Sequence, residues 1–475
     1  MSWDWFWATD YWPARAVVQH LLALIYLVAF LNAANEFRPL LGSRGLTPIP
    51  RLLAATGFRR VPTLFQLHYS DRFFALCAGS GAVLSAAALV GVVDFFPLWA
   101  SMLTWFALWA LYLSIVNVGQ VWYSFGWESL LLEAGFLAVF LGPAHTAPPA
   151  PVLWLLCWLL FRVEFGAGLI KMRGDPAWRD LTALHHHHET QPMPGPLSRR
   201  FHHLPGWSHK TEVLANHGAQ LIAPFGLFLP QPIATIAAAV IVITQAWLML
   251  SGNFAWLNLI TLALAFAAVD FTPWPWFANA APTAGAASPL WYVALVLALT
   301  AGILALSYWP VRNMLGRSQV MNRSFNKFHL GNTYGAFGSI TRERYEVVVE
   351  GRAEPGADWH EYEFKGKPGD PSRRPPQIAP YHLRLDWAMW FLPIAPGYGR
   401  QWFPRLLQAL LSDDRQVLKL LRHNPFPGGP PEAVRARFYH YRFTTAEQRR
   451  RTGRWWDREP VGEYVPEVSL ADLPA

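Results

Sequence analysis

Long apolar runs separated by short polar connections fill the first two thirds of the chain. A helix needs about 20 such residues to cross the hydrocarbon of a bilayer. The pattern predicts about nine spans, of which the fourth is short and the sixth carries Asn216, His217 and Gln220, so both are also consistent with re-entrant or bundle-buried segments. The predicted spans are Ala14–Ala33, Phe73–Val93, Leu98–Val118, Glu128–Leu141, Val152–Ile170, Val213–Leu229, Ile233–Leu250, Phe254–Val269 and Leu290–Trp309.

The pattern changes near Trp309, after which charged residues and prolines occur at the density of a soluble fold. Alternating segments predict β-strands, and one stretch has helical apolar spacing. We therefore predict a polytopic α-helical membrane bundle over residues 1–309, followed by a small β-rich extramembrane domain over residues 310–475. Its predicted elements are strands at Tyr345–Glu350, Trp359–Phe364 and Arg435–Phe443 and a helix at Phe403–Leu421.

Composition and charge refine this picture. The chain is 53% hydrophobic and only 15% charged, and its two cysteines fall inside predicted spans, which argues against a structural disulfide. The net charge of +8 is not gathered in one stripe, so nucleic acid is not expected as a partner, and anionic lipid headgroups or an acidic protein surface fit better.

Two loops, residues 35–72 and 171–212, hold six Lys or Arg each. With nine spans, both loops and the C-terminal domain fall on one face. The positive-inside rule makes that face cytoplasmic, although long folded loops escape the rule.

Two charged residues, Arg162 and Glu164, lie in the fifth predicted span, where a central charge costs roughly 2.5–3.5 kcal/mol. Arg162 needs a partner, and Glu128 and Glu133 on the preceding span are candidates. Glu164 and Lys171 share one helix face because they are seven residues apart.

Two interpretations of this helix stay open. Lys171 as a base and Glu164 as its partner form an acid–base pair in a membrane cleft. Alternatively, Lys171 snorkels to the membrane edge, Glu164 fixes helix packing, and Gly166 and Gly168 let another helix approach closely.

The run His185–His188, followed by Glu189, has the side chains that bind Zn²⁺. Adjacent histidines cannot all point at one ion, and no second His or Cys cluster has ligand spacing, although His202, His203 and His209 are possible additions. We expect a polar loop at the membrane surface and no metal. In the C-terminal domain, Trp387, Trp455 and Trp456 are expected mainly in the core, with a protein partner as the alternative.

Several long segments resemble the lipase maturation factor family, and the resemblance covers nearly the whole chain. The segments are GWESLLLEAGFLAVFLGP (Gly126–Pro143), FGAGLIKMRGDPAWRDLTALHHHHETQPMPGPLS (Phe165–Ser198), NTYGAFGSITRERYEVVVEG (Asn332–Gly351), EYEFKGKPGDPSRRPPQIAPYHLRLDWAMWF (Glu361–Phe391) and YRFTTAEQRRRTGRWW (Tyr441–Trp456).

The resemblance implies a membrane-embedded folding factor, chaperone-like rather than catalytic, whose client is an exported enzyme such as a lipase. It implies no cofactor. It also places the second loop and the C-terminal domain on the lumenal or periplasmic side, against the charge bias, and we follow it because such a factor must reach secreted clients. The expected location is a bacterial inner membrane, or the endoplasmic reticulum membrane in a eukaryote.

The resemblance also directs attention to particular side chains. In and before the second loop the candidate functional residues are Arg162, Asp175, Trp178, Arg179, Asp180, His188, Glu189, Thr190, Gln191 and Pro192. In the extramembrane domain they are Asn332, Tyr334, Arg373, Arg384, Asp386 and Trp387.

A shorter segment, Ala167–Met172 with Asp175 and Trp178, resembles part of the vitamin K-dependent γ-carboxylases. Those enzymes use a lysine as base on a lipophilic quinol. This resemblance implies the alternative function, a membrane enzyme in which Lys171 is the base and Glu164 tunes it. One short match favours shared ancestry of the bundle over shared chemistry.

Overall fold

The computed structural model describes residues 4–274, 276, 289–395 and 397–473. Its first two thirds are helical. The helices are α1 (Trp12–Leu41), α2 (Ile49–Ala55), α3 (Asp71–Leu89), α4 (Leu98–Val118), α5 (Gly126–Ala138), α6 (Ala150–Arg173), α7 (Pro176–Arg179), α8 (Leu184–Thr190), α9 (Ser198–His202), α10 (Gly206–Leu221), α11 (Ala223–Gly226), α12 (Ile233–Ser251), α13 (Leu257–Ala265), α14 (Leu290–Leu306), α15 (Tyr308–Leu315), α16 (Arg384–Phe391), α17 (Phe403–Leu411), α18 (Arg415–Leu418) and α19 (Ala446–Thr452).

Among the described residues, six helical segments are long and apolar enough to cross a membrane: α1, α3, α4, α6, α12 and α14 with α15. The predicted count of about nine is not confirmed. The three other predicted spans correspond to α5, to the α10–α11 segment and to α13, which are interrupted or shorter than a bilayer requires. Helix α15, which continues the last of the six segments, ends at Leu315, and the domain boundary near residue 309 stays a prediction.

Apolar side chains cover the outside of several long helices. On α12, Ile236, Ile243 and Leu250 are exposed, and on α3 the exposed residues include Leu76 and Val83. Helix α6, by contrast, is the most buried of the six. An exposed apolar surface of this kind is stable against lipid rather than water, so the outer helices face the bilayer and α6 lies inside the bundle.

Contacts between loops define two ends of the bundle. At the N-terminal end, Arg15 donates to the Thr146 carbonyl oxygen at 2.9 Å, and Gln231 donates to the Tyr11 hydroxyl and to the Ala268 carbonyl oxygen. At the other end, which we call the domain end, Asn117 donates to the Pro62 carbonyl oxygen. Both basic loops and the C-terminal domain lie at the domain end.

The C-terminal domain contains two antiparallel sheets. The larger has the strand order β2-β1-β5-β6 and the smaller pairs β3 with β4. The predicted hairpin is present, with Glu350 opposite Glu361. The strands are β1 (Arg344–Arg352), β2 (His360–Glu361), β3 (Glu363–Phe364), β4 (Leu421–His423), β5 (Ala433–Phe443) and β6 (Trp456–Ser469).

Several elements of this domain differ from the prediction. The predicted strand Trp359–Phe364 is divided into β2 and β3, which belong to different sheets, and β4, α16 and α19 were not predicted. The long edge strand β6 was not predicted, because its sequence contains Pro460 and Pro466 and shows little alternation. Prolines are tolerated in this strand because one side of an edge strand needs no hydrogen-bond partner. The predicted helix Phe403–Leu421 is divided into α17 and α18. The division lies at Asp413, which has a positive φ of 50°, and Asp414, which caps α18 through its side chain.

Candidate functional site

Arg162 is the centre of a buried charge cluster that joins three distant segments. Its guanidinium pairs with Glu133 of α5 at 2.5 Å and donates to the Asn332 carbonyl oxygen at 2.9 Å. The same carboxylate accepts from the Gly331 and Asn332 backbone NH groups, the Asn332 side chain and the Tyr334 hydroxyl. Glu133 is therefore the partner that the sequence predicted for Arg162. Gly331, Asn332 and Tyr334 donate the remaining hydrogen bonds to this carboxylate.

Glu128, the other candidate partner, pairs instead with a residue of the C-terminal domain. Arg384 enters the bundle and approaches the Glu128 carboxylate to 2.7 Å, with both side chains fully buried. Its guanidinium also donates to Asn32 of α1 and lies over the Tyr123 ring at 3.4 Å. This second cluster attaches the domain to the bundle over more than 250 residues of sequence.

Glu164 and Lys171 are both buried but do not form an ion pair with each other. The Lys171 ammonium donates to Gln220 of α10 at 2.7 Å and lies 4.8 Å above the Trp178 ring. Glu164 accepts from Gln245 of α12 at 2.6 Å. Each side chain thus has a neutral amide partner on another helix, which fits a structural role.

The start of the second loop is attached to the segment that leads into β1. Asp175 caps α7 and pairs with Arg342 at 2.7 Å, while Trp178 donates to the Phe337 carbonyl oxygen. Burial acts to raise the pKa of Asp175, but the hydrogen bonds from Arg342 and from two backbone NH groups hold this pKa below its usual value. Arg179 and Asp180 are exposed.

Glu189 to Pro192, at the end of α8, contact the domain directly. Glu189 accepts from the Phe443 backbone NH at 2.6 Å, and Trp390 donates to the Thr190 carbonyl oxygen. Gln191 donates to Ser198 and to the Ser251 carbonyl oxygen, so it also connects the loop to α12.

Sequence reasoning missed Arg344, which clamps this loop. Its buried guanidinium pairs with Glu346 at 2.5 Å and donates to the carbonyl oxygens of Glu189, Gln191 and Pro192. The Glu346 carboxylate also pairs with the Lys367 ammonium at 3.0 Å. Arg344 lies just before the predicted strand Tyr345–Glu350, and in β1 it shares one face with Glu346 because the two are two residues apart. Two opposite charges at this spacing were the available signal.

Three further candidate residues stabilise the domain itself. The Asp386 carboxylate accepts the backbone NH groups of Gly366 and Lys367, and burial raises its pKa in spite of them. Arg373 donates to the Phe364 carbonyl oxygen. Trp387 is buried against Trp127, a residue of the bundle, which confirms the expectation of a core position.

The four adjacent histidines point in different directions, as the sequence required. His186 contacts the Arg342 carbonyl oxygen, and His187 packs on Phe337. Burial lowers the pKa of His187 to about 3. His188 is buried and faces two residues of α10: His209, which the sequence offered as a possible addition to the run, and Glu212, which it did not.

These contacts define a class of protein: a helical membrane bundle whose C-terminal domain is locked to one end by buried ion pairs. A family model for the lipase maturation factor transmembrane domain matches residues 13–276. The corresponding C-terminal domain model matches residues 330–466.

Relatives match over nearly the whole chain. Lipase maturation factor 1 of Homo sapiens is 41% identical over 98% of this chain and 89% of its own length. The Bos taurus protein of the same name is also 41% identical, over 98% and 91%. Lipase maturation factor 2 of Homo sapiens is 30% identical over 95% and 82%. No solved structure matches significantly.

The chain therefore belongs to the lipase maturation factor family, and it is an integral membrane protein.

Proposed function

We propose that this protein is a membrane-embedded maturation factor for lipases, acting on clients at the domain end of the bundle. The observation that carries the proposal is the similarity to lipase maturation factor 1 across both domains. The structure adds a physical basis, because the second loop and the C-terminal domain form one surface rather than two independent modules. Arg344 of the domain donates to the carbonyl oxygens of Glu189 and Gln191, and the Glu189 carboxylate accepts from the Phe443 backbone NH.

A basic surface crosses this junction. Arg199 of α9 donates to the Thr444 carbonyl oxygen, immediately before α19, so the two short helices are neighbours. Their exposed arginines form what we call the basic face, which consists of Arg200, Arg449, Arg450, Arg451 and Arg454. We propose that an acidic surface of an incompletely folded client binds there.

The aromatic residues of the domain support this choice of surface. Trp387, Trp402 and Trp456 are buried, so they are not available to a client. Trp455 lies beneath Arg449 with 3.8 Å between the guanidinium and the ring centroid. Charge, rather than these tryptophan rings, is therefore what the basic face offers to a client.

The proposed topology has nine crossings, with α5, the α10–α11 segment and α13 passing through the bundle between the six long helices. Loops on either side of these short helices lie at opposite ends: Phe140, after α5, accepts from Tyr292 at the N-terminal end, whereas Trp122, before α5, accepts from Arg384. We place the domain end on the lumenal or periplasmic side, where exported clients fold.

The family assignment does not favour the alternative of a quinol-dependent enzyme. Lys171 retains a neutral partner, Gln220, and an aromatic ring, which stabilise the ammonium without a substrate. No cofactor is proposed for this function.

The function is testable in cells that lack lipase maturation factor 1 and express a secreted lipase. The full chain, directed to the endoplasmic reticulum membrane, should raise the lipase activity recovered per unit of lipase protein. Lys171→Met should retain most of this effect. Charge reversal of Arg450 and Arg451 to Glu should remove most of it.

The matched control is charge reversal of Arg59 and Arg60, an exposed pair in the first basic loop, which should leave the effect unchanged. Failure of the wild-type chain to raise specific activity, despite normal accumulation in the membrane, would contradict the proposed function. Loss of the effect in Lys171→Met at normal protein levels would favour the enzyme.

A further inference from the structure

Three potential metal ligands meet where α8 and α10 cross at the domain end. One donor atom from each of His188, His209 and Glu212 lies within 4.8 Å of the other two. His209 and Glu212 are three residues apart on α10, so they share one helix face. His188 comes from α8, and the His185 ring of the same histidine run also packs against His209, with 4.9 Å between the ring centroids.

The ring of His188 is the most informative feature. It is only 1% exposed, and neither ring nitrogen has a hydrogen-bond partner. Its Nε2 lies 3.8 Å from the Glu212 carboxylate, too far for a hydrogen bond. A buried imidazole without a partner costs free energy, and a bound cation would offset this cost through the nitrogen lone pair.

The other two side chains are oriented as metal ligands are. The His209 Nε2 lies 3.3 Å from the His202 carbonyl oxygen, which leaves Nδ1 without a partner. One oxygen of Glu212 accepts from the Trp247 indole at 2.9 Å, and the second faces His188. A histidine bonded to a carbonyl through its second nitrogen, beside an anchored carboxylate, is the usual outer arrangement of a zinc site.

We infer that His188, His209 and Glu212 bind a divalent transition-metal ion, with Zn²⁺ as the best match to two imidazoles and one carboxylate. Three protein ligands leave one position for water. The ligand atoms of a tetrahedral Zn²⁺ ion are about 3.4 Å apart, so small side-chain rotations close the site.

The ion would join α8 to α10. Because Glu189, next to His188, binds the Phe443 backbone NH, metal binding would also fix the contact between loop and domain. The inference goes beyond the proposed function and does not depend on it.

The test uses the full chain in detergent, purified without a polyhistidine tag, stripped with a chelator and titrated with Zn²⁺ alone. Calorimetry should show one ion bound per chain. His209→Gln and Glu212→Gln should each weaken binding by at least about 10-fold, since even outer-shell changes cost 10–100-fold. Glu212→Gln retains an oxygen for Trp247, so folding should be preserved.

His186→Gln is the matched control, because this histidine lies in the same run but contacts the Arg342 carbonyl oxygen instead. Its Zn²⁺ affinity should equal that of the wild type. Saturating Zn²⁺ should also raise the melting temperature of the wild type and not that of His209→Gln. Absence of stoichiometric binding, or equal weakening in all three variants, would overturn the inference.

Discussion

Several candidate residues are charged yet buried, because each of them pairs with an opposite charge inside the protein. Arg162, Arg344 and Arg384 are each 2% exposed or less. Arg162 and Arg384 pair with carboxylates of other segments, whereas Arg344 pairs with Glu346 of its own strand. Removing one partner of such a pair leaves an uncompensated charge in a low-dielectric interior. These residues act on function through the fold, by positioning the loop and the domain.

Arg384→Met should therefore destabilise the protein by about 3–5 kcal/mol, because Glu128 loses the cation that pairs with it. Thermal or denaturant unfolding in detergent measures the change. Arg422→Met is the control, since Arg422 pairs with Glu363 at the surface, where such pairs contribute at most about 1 kcal/mol. Equal destabilisation by the two substitutions would argue against a buried ion pair as the attachment.

His382 should make this attachment sensitive to acid. Its ring is fully buried among Phe125, Trp127, Trp256 and Trp387, with Glu128 and Arg384 as the charged neighbours. Burial first, and Arg384 second, lower its pKa to about 4. The unfolded chain, with a pKa near 6.5, then binds more protons than the native protein between these values, so stability is complete above about pH 6.5 and falls below it.

Lowering the pH from 7.5 to 5.5 should therefore cost about 1 kcal/mol through His382. His382→Phe keeps the aromatic contacts and removes the titrating group, so its stability should fall less over this pH range. Unfolding of both proteins at the two pH values measures the difference. An identical loss in the variant would exclude His382 as a contributor.

Packing around α6 depends on two glycines that neighbouring segments approach closely. On α6, a Cβ placed at Gly166 would lie 2.5 Å from the Tyr334 carbonyl oxygen, and one placed at Gly168 would lie 2.7 Å from the Leu221 side chain. The prediction that this glycine pair permits close packing is confirmed. One of the two contacts is with the segment that leads to the C-terminal domain rather than with a helix.

Gly166→Ala should destabilise the protein by about 1–3 kcal/mol, since the backbone of Tyr334 cannot move aside as a side chain can. Gly218→Ala is the matched control on α10, because a Cβ there has open space. It should be neutral or stabilise by about 0.5–1 kcal/mol through helix propensity. A stabilising effect at Gly166, measured by thermal unfolding, would show that the approach is looser than described.

The molecule as a whole gathers its polar connections at one end. Both basic loops and the C-terminal domain lie there, on the single face that a nine-span chain would give them. The side of the membrane is a separate matter, because charge bias and the expected location of clients give opposite answers.

Cysteine labelling should resolve this question, since Cys77 and Cys157 are buried and give little background. In intact cells or sealed lumen-out vesicles, an impermeant maleimide should label Ala357→Cys and Arg60→Cys, which are exposed at the domain end. His145→Cys, exposed at the N-terminal end, should react only after permeabilisation. Labelling at positions 60 and 357 from different sides would contradict the fold, whereas joint protection of both would reverse the orientation.

The local pattern of apolar, polar and charged residues determined much of the secondary structure of this protein. Apolar runs of bilayer length located the six long helices, alternation located β1 and β5, and two carboxylates on the preceding helix were the candidate partners for Arg162. These features depend on neighbours in sequence, where side-chain period and hydrocarbon thickness leave few choices.

Tertiary structure decided the rest. The choice of Glu133 for Arg162 and Arg384 for Glu128, the clamp made by Arg344, and the grouping of His188 with α10 join segments that are far apart in sequence. A buried charge predicts that an opposite charge lies beside it, but the sequence contains several opposite charges that could fill this role. Only the path of the chain determines which one comes within reach.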